Sequence, residues 1–249
     1  MAVGVRLGAS ILNAVARLNI SGFPDEAVAY VGRSKTEVLL GPHVWDYVIG
    51  RTVLDFGCGP GVEAVEIAEH GACRVVGVDL RKKWLRMAAA RAEAAGVSDR
   101  CTFAKTWAGP VDVIICLDCF EHFADPEAVL RQMRLLLKPG GRVLVSFGPP
   151  WKHPLGGHVY SIFPFSHLIF PEAALVRWRS TFKIDGARTI LESGLNKMTV
   201  KRFERLIGES PFRAEQLEIV PIRKLRPIAN RLTREFTTSI VRCHLVATD

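Results

Sequence analysis

Three glycines at alternate positions, Gly57, Gly59 and Gly61, follow an apolar run that ends in an acid, Val53–Leu54–Asp55. Glycine permits positive φ and lets main chain approach a ligand closely. A helix starting just beyond such a turn presents its unbonded amides to the same ligand. The dinucleotide fingerprint G-x-G-x-x-G puts its third glycine three positions after the second. Here that position is Val62, and the glycine comes one residue early, at Gly61. A Walker loop is excluded because no Lys-Ser/Thr pair follows. Asp79 closes the next apolar run, VVGVD, where a carboxylate can accept both hydroxyl protons of a ribose.

A second group of reactive residues follows the run Val111–Leu117 (VDVIICL): Asp118, Glu121 and His122. In a helical turn, positions i, i+3 and i+4 share a face. His122 is a candidate general base, and the two carboxylates with the imidazole could together hold a divalent cation that acidifies a bound hydroxyl. The alternative is a Glu–His pair that packs locally or contacts substrate. A fourth ligand, and a further catalytic candidate, is His158, because Gly156 and Gly157 let the backbone bend it inward. His153 is more constrained by Pro154. A surface role accounts for either histidine equally well.

These residues need a scaffold that brings strand ends together. Residues 36–50 read as a helix leading into a sheet. Strands are expected at Thr52–Phe56, Arg74–Asp79, Cys101–Ala104, Val111–Leu117 and Arg142–Phe147. Helices are expected at Val62–His70, Lys82–Ala95 and Pro126–Leu137, the last stopped by Pro139–Gly140–Gly141. Such alternation argues for right-handed βαβ units and a parallel sheet, with ligands at the carboxyl ends of the strands. The alternation then breaks. After a loop-rich stretch, a helix at Thr199–Glu209, a strand at Phe212–Val220, a basic linker and a strand near Phe236–Ala247 remain. No helix long enough for a comfortable parallel crossover lies between the last two strands, so an antiparallel closing strand is expected. The expected organisation is a single α/β domain: an N-terminal helical cover (1–50), a core (51–147), a lid inserted after the fifth strand (148–198) and a closing unit (199–249).

Composition sets outer bounds. Of 249 residues, 49% are hydrophobic and 23% charged, as in ordinary globular proteins. The net charge is +8, and its excess lies in the C-terminal third: residues 177–249 hold 15 Lys/Arg against 8 Asp/Glu, residues 1–176 hold 18 against 17. That distribution suits an anionic substrate, a membrane surface, nucleic acid or simply a solvated basic face. No apolar run reaches the ~20 residues of a membrane span. The start, interrupted by Arg6 and Arg17, reads as an amphipathic helix over part of the site, not as a signal peptide. Cys116-x-x-Cys119 lacks the second ligand pair a zinc site needs, so free thiols in a cytoplasmic protein are expected.

Four segments in order carry a resemblance: D-F-G-C-G-P-G at 55–61, V-G-V-D at 76–79, V-D-V-I-I-C-L-D-C-F-E-H at 111–122 and L-L-K-P-G-G-R-V-L-V-S at 136–146. Together they closely resemble the class I S-adenosylmethionine-dependent methyltransferases. The resemblance implies a doubly wound, mostly parallel seven-stranded sheet with helices on both faces and its last strand antiparallel. It also implies that Asp55, Gly57, Gly59 and Gly61 surround the methionine part of S-adenosylmethionine and that Asp79 holds the ribose, with Cys58, Leu80 and Leu117 also at the cofactor. The family often has an acid after the third strand at the adenine amine. This chain has none there, and Thr106 or a backbone carbonyl is the expected substitute. The Asp118-x-x-Glu121-His122 cluster is similar to the E-x-x-E-H of ubiquinone-pathway O-methyltransferases and small-RNA 2′-O-methyltransferases, with Asp in place of the first Glu.

The stretch Tyr160–Phe170 (YSIFPFSHLIF) is dense enough in apolar and aromatic residues to wall a pocket or to pack an added helix pair. A wall of that kind calls for a small hydrophobic or aromatic acceptor, methylated on oxygen. RNA is the alternative acceptor, against which stands the lack of interleaved aromatics among the basic residues. A non-catalytic cofactor-binding protein of the same fold is the alternative of another class.

Overall fold

The computed structural model describes residues 2–17 and 32–248. Its sheet has seven strands: β1 (Thr52–Phe56), β2 (Arg74–Val78), β3 (Cys101–Ala104), β4 (Val111–Leu117), β5 (Leu137–Phe147), β6 (Phe212–Pro221) and β7 (Thr238–Ala247). They lie in the order β3-β2-β1-β4-β5-β7-β6. β1 to β5 pair in parallel, and β7 runs antiparallel to both β5 and β6. The chain winds outward from β1 in one direction and from β4 in the other. The crevice between the carboxyl ends of β1 and β4 is therefore the switch point at which such sheets bind ligands.

Along the central strands, successive side chains enter opposite cores, as a period of two requires. Leu54, Ile114 and Cys116 join one, with Leu130, Met133 and Phe203; Val53, Val113, Ile115 and Leu117 join the other, with Leu39, Ile67 and Ala92. That is why β4 reads as an unbroken apolar run: both faces are covered. The helices end where local chemistry tells them to. Ser34 caps α2 (Lys35–Leu40) by accepting from the Glu37 amide. Asp125 caps α5 (Pro126–Leu136) through the Ala128 amide, with Pro126 at the first position. Between them lie α3 (Val62–Glu69) and α4 (Lys82–Ala94). Ahead of α2, the N-terminal helix α1 spans Ala2–Arg17.

Three expectations need correction. The helix expected over 36–50 breaks at Gly41, whose φ is 90°, and continues as a 3-10 turn over Pro42–Tyr47, because proline disfavours the helical conformation in the residue before it. β5 begins at Leu137, five residues before the expected start at Arg142: Leu137 pairs with Val111 and Arg142 with Val113, so Pro139–Gly140–Gly141 forms a bulge within the strand. Cys116 and Cys119 are joined as a disulfide, so the free-thiol expectation fails for that pair.

After β5 the chain forms two further helices, α6 (Ser166–Ile169) and α7 (Glu172–Arg179). Tyr160, Ile162, Leu175 and Trp178 pack with Leu12 of α1 in a third apolar cluster. The aromatic stretch is thus part core, while Val159 and Ile162 line a cavity. Helix α8 (Val200–Gly208) leads into β6, and α9 (Arg234–Thr237) precedes β7. None of the described helices is long and apolar enough to cross a membrane.

Candidate active site

A cavity of about 1020 Å³ opens at the carboxyl ends of β1 and β4. That volume lies at the top of the range of ~300–1,000 Å³ typical of small-molecule sites. One wall is the glycine turn, the floor is acidic, and the far wall is the histidine-bearing segment after β5.

The turn is tied to the sheet by its own amides. The Gly57 and Cys58 N–H groups both donate to the Val78 carbonyl at 2.9 Å, and Gly61 N–H donates to the Cys58 carbonyl at 2.9 Å. The expectation that the amides of this turn face a ligand is corrected accordingly. Two of them tie the turn to β2 and the third closes the turn on itself, which leaves Gly59 and the first turn of α3. Gly57, Gly59 and Gly61 have φ of 90°, 50° and 76°, a region side chains disfavour. Gly61 is fixed by packing as well: a Cβ there would sit 2.6 Å from the Ala88 Cβ.

The floor holds four carboxylates, Asp55, Glu63, Asp118 and Glu121, and Lys35 among them. Asp55, at the end of β1, is buried, and its Oδ2 has no hydrogen-bond partner. Burial and then Glu63 push its pKa well above the usual carboxylate range. Glu121 is buried in the 3-10 turn Phe120–His122, and neither carboxylate oxygen has a partner among the described residues. Burial and then the Asp118 charge push its pKa up to about 8. Lys35 Nζ lies 3.0 Å from Asp118 Oδ2 and 3.6 Å from Glu63 Oε1.

His122, His153 and His158 meet at the far wall. The His122 and His158 rings lie 5.7 Å apart, edge to face. His122 Nδ1 is 2.6 Å from the Gly194 carbonyl, so Nδ1 carries the hydrogen, which leaves Nε2 as the acceptor of the neutral ring. His158 sits at φ 49°, and burial, then His122, lowers its pKa to about 4. His153 is lowered to about 4 by burial and His167. Leu155, Val159, Ile162 and Trp178 complete the wall with apolar surface.

The structure therefore brings Asp55, Gly57, Cys58, Gly59, Leu117, Asp118, Glu121, His122 and His158 to one cavity. Gly61, Asp79, Leu80 and Thr106 are not in its lining. Gly61 is packed beneath α4, and Asp79 accepts the Arg81 amide at 2.8 Å. Leu80 and Thr106 are exposed beyond β2 and β3. The expected metal cluster is not assembled: among the described residues, no three His, Cys, Asp or Glu side chains converge to hold an ion. Asp118 has a positive φ of 47° and turns to Lys35 instead.

Lys35 and Trp178 were not anticipated. A lysine at the start of a short helix carries no local signal of a partner that lies beyond β4 in the chain. Trp178 lines the cavity because α7 folds back on α1.

The methyltransferase-domain family matches residues 29–180. A ubiquinone biosynthesis O-methyltransferase of Chromobacterium violaceum is 40% identical over 105 residues, which make up 40% of this chain and 45% of that protein. The chain thus spans less than half of that relative's length. An S-adenosylmethionine-dependent methyltransferase from Mesorhizobium loti superimposes with a TM-score of 0.53 at 22% identity, over 80% of this chain and 92% of that one. The [4+2]-cyclase SpnF superimposes with a TM-score of 0.55 at 16% identity, over 80% and 76%. Fold alone therefore does not name the reaction.

Proposed function

This chain belongs to the methyltransferase-domain family, and from that premise we propose that it transfers the methyl group of S-adenosylmethionine to the hydroxyl of a small hydrophobic or aromatic acceptor. The site fits the cofactor: the unpartnered Asp55 Oδ2 and the side-chain-free surface at Gly57 and Gly59 suit a polar amino-acid moiety held close to main chain. Asp79, just after β2, is the candidate for the ribose, with Leu80 and Thr106, exposed outside the cavity, as further candidates for cofactor contact. When bound, the sulfonium supplies an activated methyl group, so the protein's task is to place an oxygen in line and manage its proton.

The observation that carries this reading is the adjacency, in one turn that lines the cavity, of an imidazole acceptor and a buried acid with no partner among the described residues. His122, anchored through Nδ1, offers Nε2 to the acceptor hydroxyl as general base. Glu121, with its pKa raised to about 8, is protonated at neutral pH and offers an O–H to the developing oxyanion. A carboxylic acid kept neutral by burial is well suited to that role. His158, neutral at pH 7, orients the hydroxyl by donating its ring N–H to the oxygen, and Leu155, Ile162 and Trp178 exclude water around the ring or chain that bears it. The donor set does not fit a divalent ion, so no step is assigned to one. The relative's O-methyltransferase activity supports oxygen as the methylated atom.

The test is to incubate the protein and S-adenosylmethionine with a panel of phenols, catechols and polar hydroxyls, with and without chelator, and to follow S-adenosylhomocysteine. Turnover on hydrophobic phenols that persists in chelator is expected. Cofactor binding by calorimetry without turnover on any hydroxyl would sink the proposal.

A further inference from the structure

We propose that the connection between β6 and β7 is a docking surface for an anionic lipid bilayer. It runs Ile222–Phe236, IRKLRPIANRLTREF, and no acidic residue stands between Glu218 and Glu235. Arg234 is held by Glu204 in a two-pronged ion pair at 2.7 and 2.6 Å. Arg223, Lys224, Arg226 and Arg231 are exposed, and among the described residues their side chains make no ion pair or hydrogen bond. Interleaved with these four cations are Ile228, Leu232 and Phe236, with 57%, 91% and 44% of their surface in water.

Apolar side chains scattered singly are ordinary on a protein surface, but here three of them interleave with four cations along one connection. Apolar side chains alternating with cations instead match the boundary of a bilayer, where charges meet phosphate and aliphatic groups enter the acyl region. The segment is also held in shape. Asn230 Oδ1 accepts from the Leu232 and Thr233 amides at 2.8 and 3.2 Å, and Thr233 Oγ1 donates to the Ile228 carbonyl at 2.6 Å. Leu232 therefore projects from a built turn. Single-stranded RNA would call for aromatic platforms, whereas the most exposed apolar residues here are aliphatic.

The surface abuts the wall of the cavity. The Phe236 ring lies 6.5 Å from that of Phe165 and 5.9 Å from Lys152 Nζ. Phe165 N–H bonds the Pro154 carbonyl at 2.7 Å, between the cavity-lining His153 and Leu155. Docking here would set the catalytic wall beside the bilayer. The inference does not rest on which hydroxyl is methylated, because vesicle binding is read without turnover.

The full chain is sedimented with vesicles of phosphatidylcholine alone and of phosphatidylcholine with equimolar phosphatidylglycerol, at low and raised salt. It is expected to pellet with the anionic vesicles only, and less so at raised salt. Each cation near such a surface contributes about fivefold in affinity, so Arg223→Gln/Lys224→Gln/Arg226→Gln/Arg231→Gln is expected to lose roughly 100-fold or more. Leu232→Ser, with all charges intact, is expected to lose about tenfold, and both variants are expected to melt as the parent does. Absence of pelleting, equal pelleting with neutral vesicles, or variants that pellet like the parent would overturn the proposal. Tight binding of polyuridine without vesicle binding would also overturn it and assign the surface to nucleic acid.

Discussion

Lys35 Nζ and Asp118 Oδ2 lie 3.0 Å apart, joining the helix before β1 to the turn after β4. Lys35 also lowers the pKa values of Asp55 and Glu121, against the burial that raises both. If the protonated form of Glu121 is the active one, kcat/KM falls on the alkaline side as Glu121 ionises. Removing the ammonium in Lys35→Met then disfavours the carboxylate further and moves that limb upward by about one pH unit, while Lys35→Arg leaves it in place. A pH profile of kcat/KM reads this directly, and an unmoved limb in Lys35→Met would separate the lysine from Glu121.

Glu121→Gln separates stability from activity. An acid whose folded pKa is about 8, against an ordinary 4.5, binds its proton more tightly in the fold than in the unfolded chain. Its contribution is therefore greatest below the ordinary value and is lost as pH rises from 4.5 to 8. Gln does not ionise, so the variant is expected to gain a few kcal/mol relative to the parent at pH 8 and almost nothing at pH 4. Its turnover is expected to fall by about 10- to 100-fold, because an amide is a weaker donor to an oxyanion than a carboxylic acid. Denaturant titrations at the two pH values, with turnover at pH 7, check both halves. A variant that gains no stability at pH 8 would show that the carboxylate is ionised in the fold.

Much of this site was legible because its first half is local. The acid-glycine turn at 55–61, the burial of β4 and the cluster at 118–122 all rest on neighbours a few residues apart, where periodicity and turn chemistry decide. The antiparallel close of the sheet was legible for the same reason: the link after Pro221 shows no helical pattern long enough for a crossover. What failed depended on tertiary partners. Nothing near Gly57 or Cys58 says that both amides will bond the Val78 carbonyl, since the partner belongs to another strand. The spacing Asp118-x-x-Glu121-His122 suggested converging ligands. The ion pair with Lys35 comes from a distant segment and turns Asp118 aside.

The half-buried histidines of the far wall set the acid limit of the fold. His153 and His158 have pKa values lowered to about 4 from an ordinary 6.5. Their contribution is complete above 6.5 and is lost as pH falls through 4, because the unfolded chain takes up protons first. Each is expected to cost up to roughly 3 kcal/mol across that window. His158→Asn keeps a residue tolerant of the φ of 49° and removes one titrating group. Its loss of stability between pH 7 and pH 4.5 should be shallower than the parent's, as measured by urea titration at each pH. An identical slope would mean that His158 is not held neutral.

The glycines of the turn differ in what they protect, and substitution tells them apart. At Gly61 a Cβ would meet the Ala88 Cβ at 2.6 Å and its Cα at 2.8 Å, the latter part of the α4 backbone, and φ is 76°. Gly61→Ala must push α3 from α4, so overpacking and a left-handed alanine add to a loss of about 2–4 kcal/mol. At Gly59 a Cβ has no atom within 4 Å, and φ is 50°, so Gly59→Ala carries only the conformational strain of about 1 kcal/mol. Yet Gly59 lines the cavity and Gly61 does not. Thermal melting is therefore expected to rank Gly61→Ala as the more damaged fold. Calorimetry with S-adenosylmethionine at a temperature where both are folded should rank Gly59→Ala as the weaker binder, because the added methyl takes up space where the ligand meets main chain. If Gly59→Ala binds as the parent does, the cofactor does not approach this turn closely, and its place in the cavity must be sought nearer the histidines.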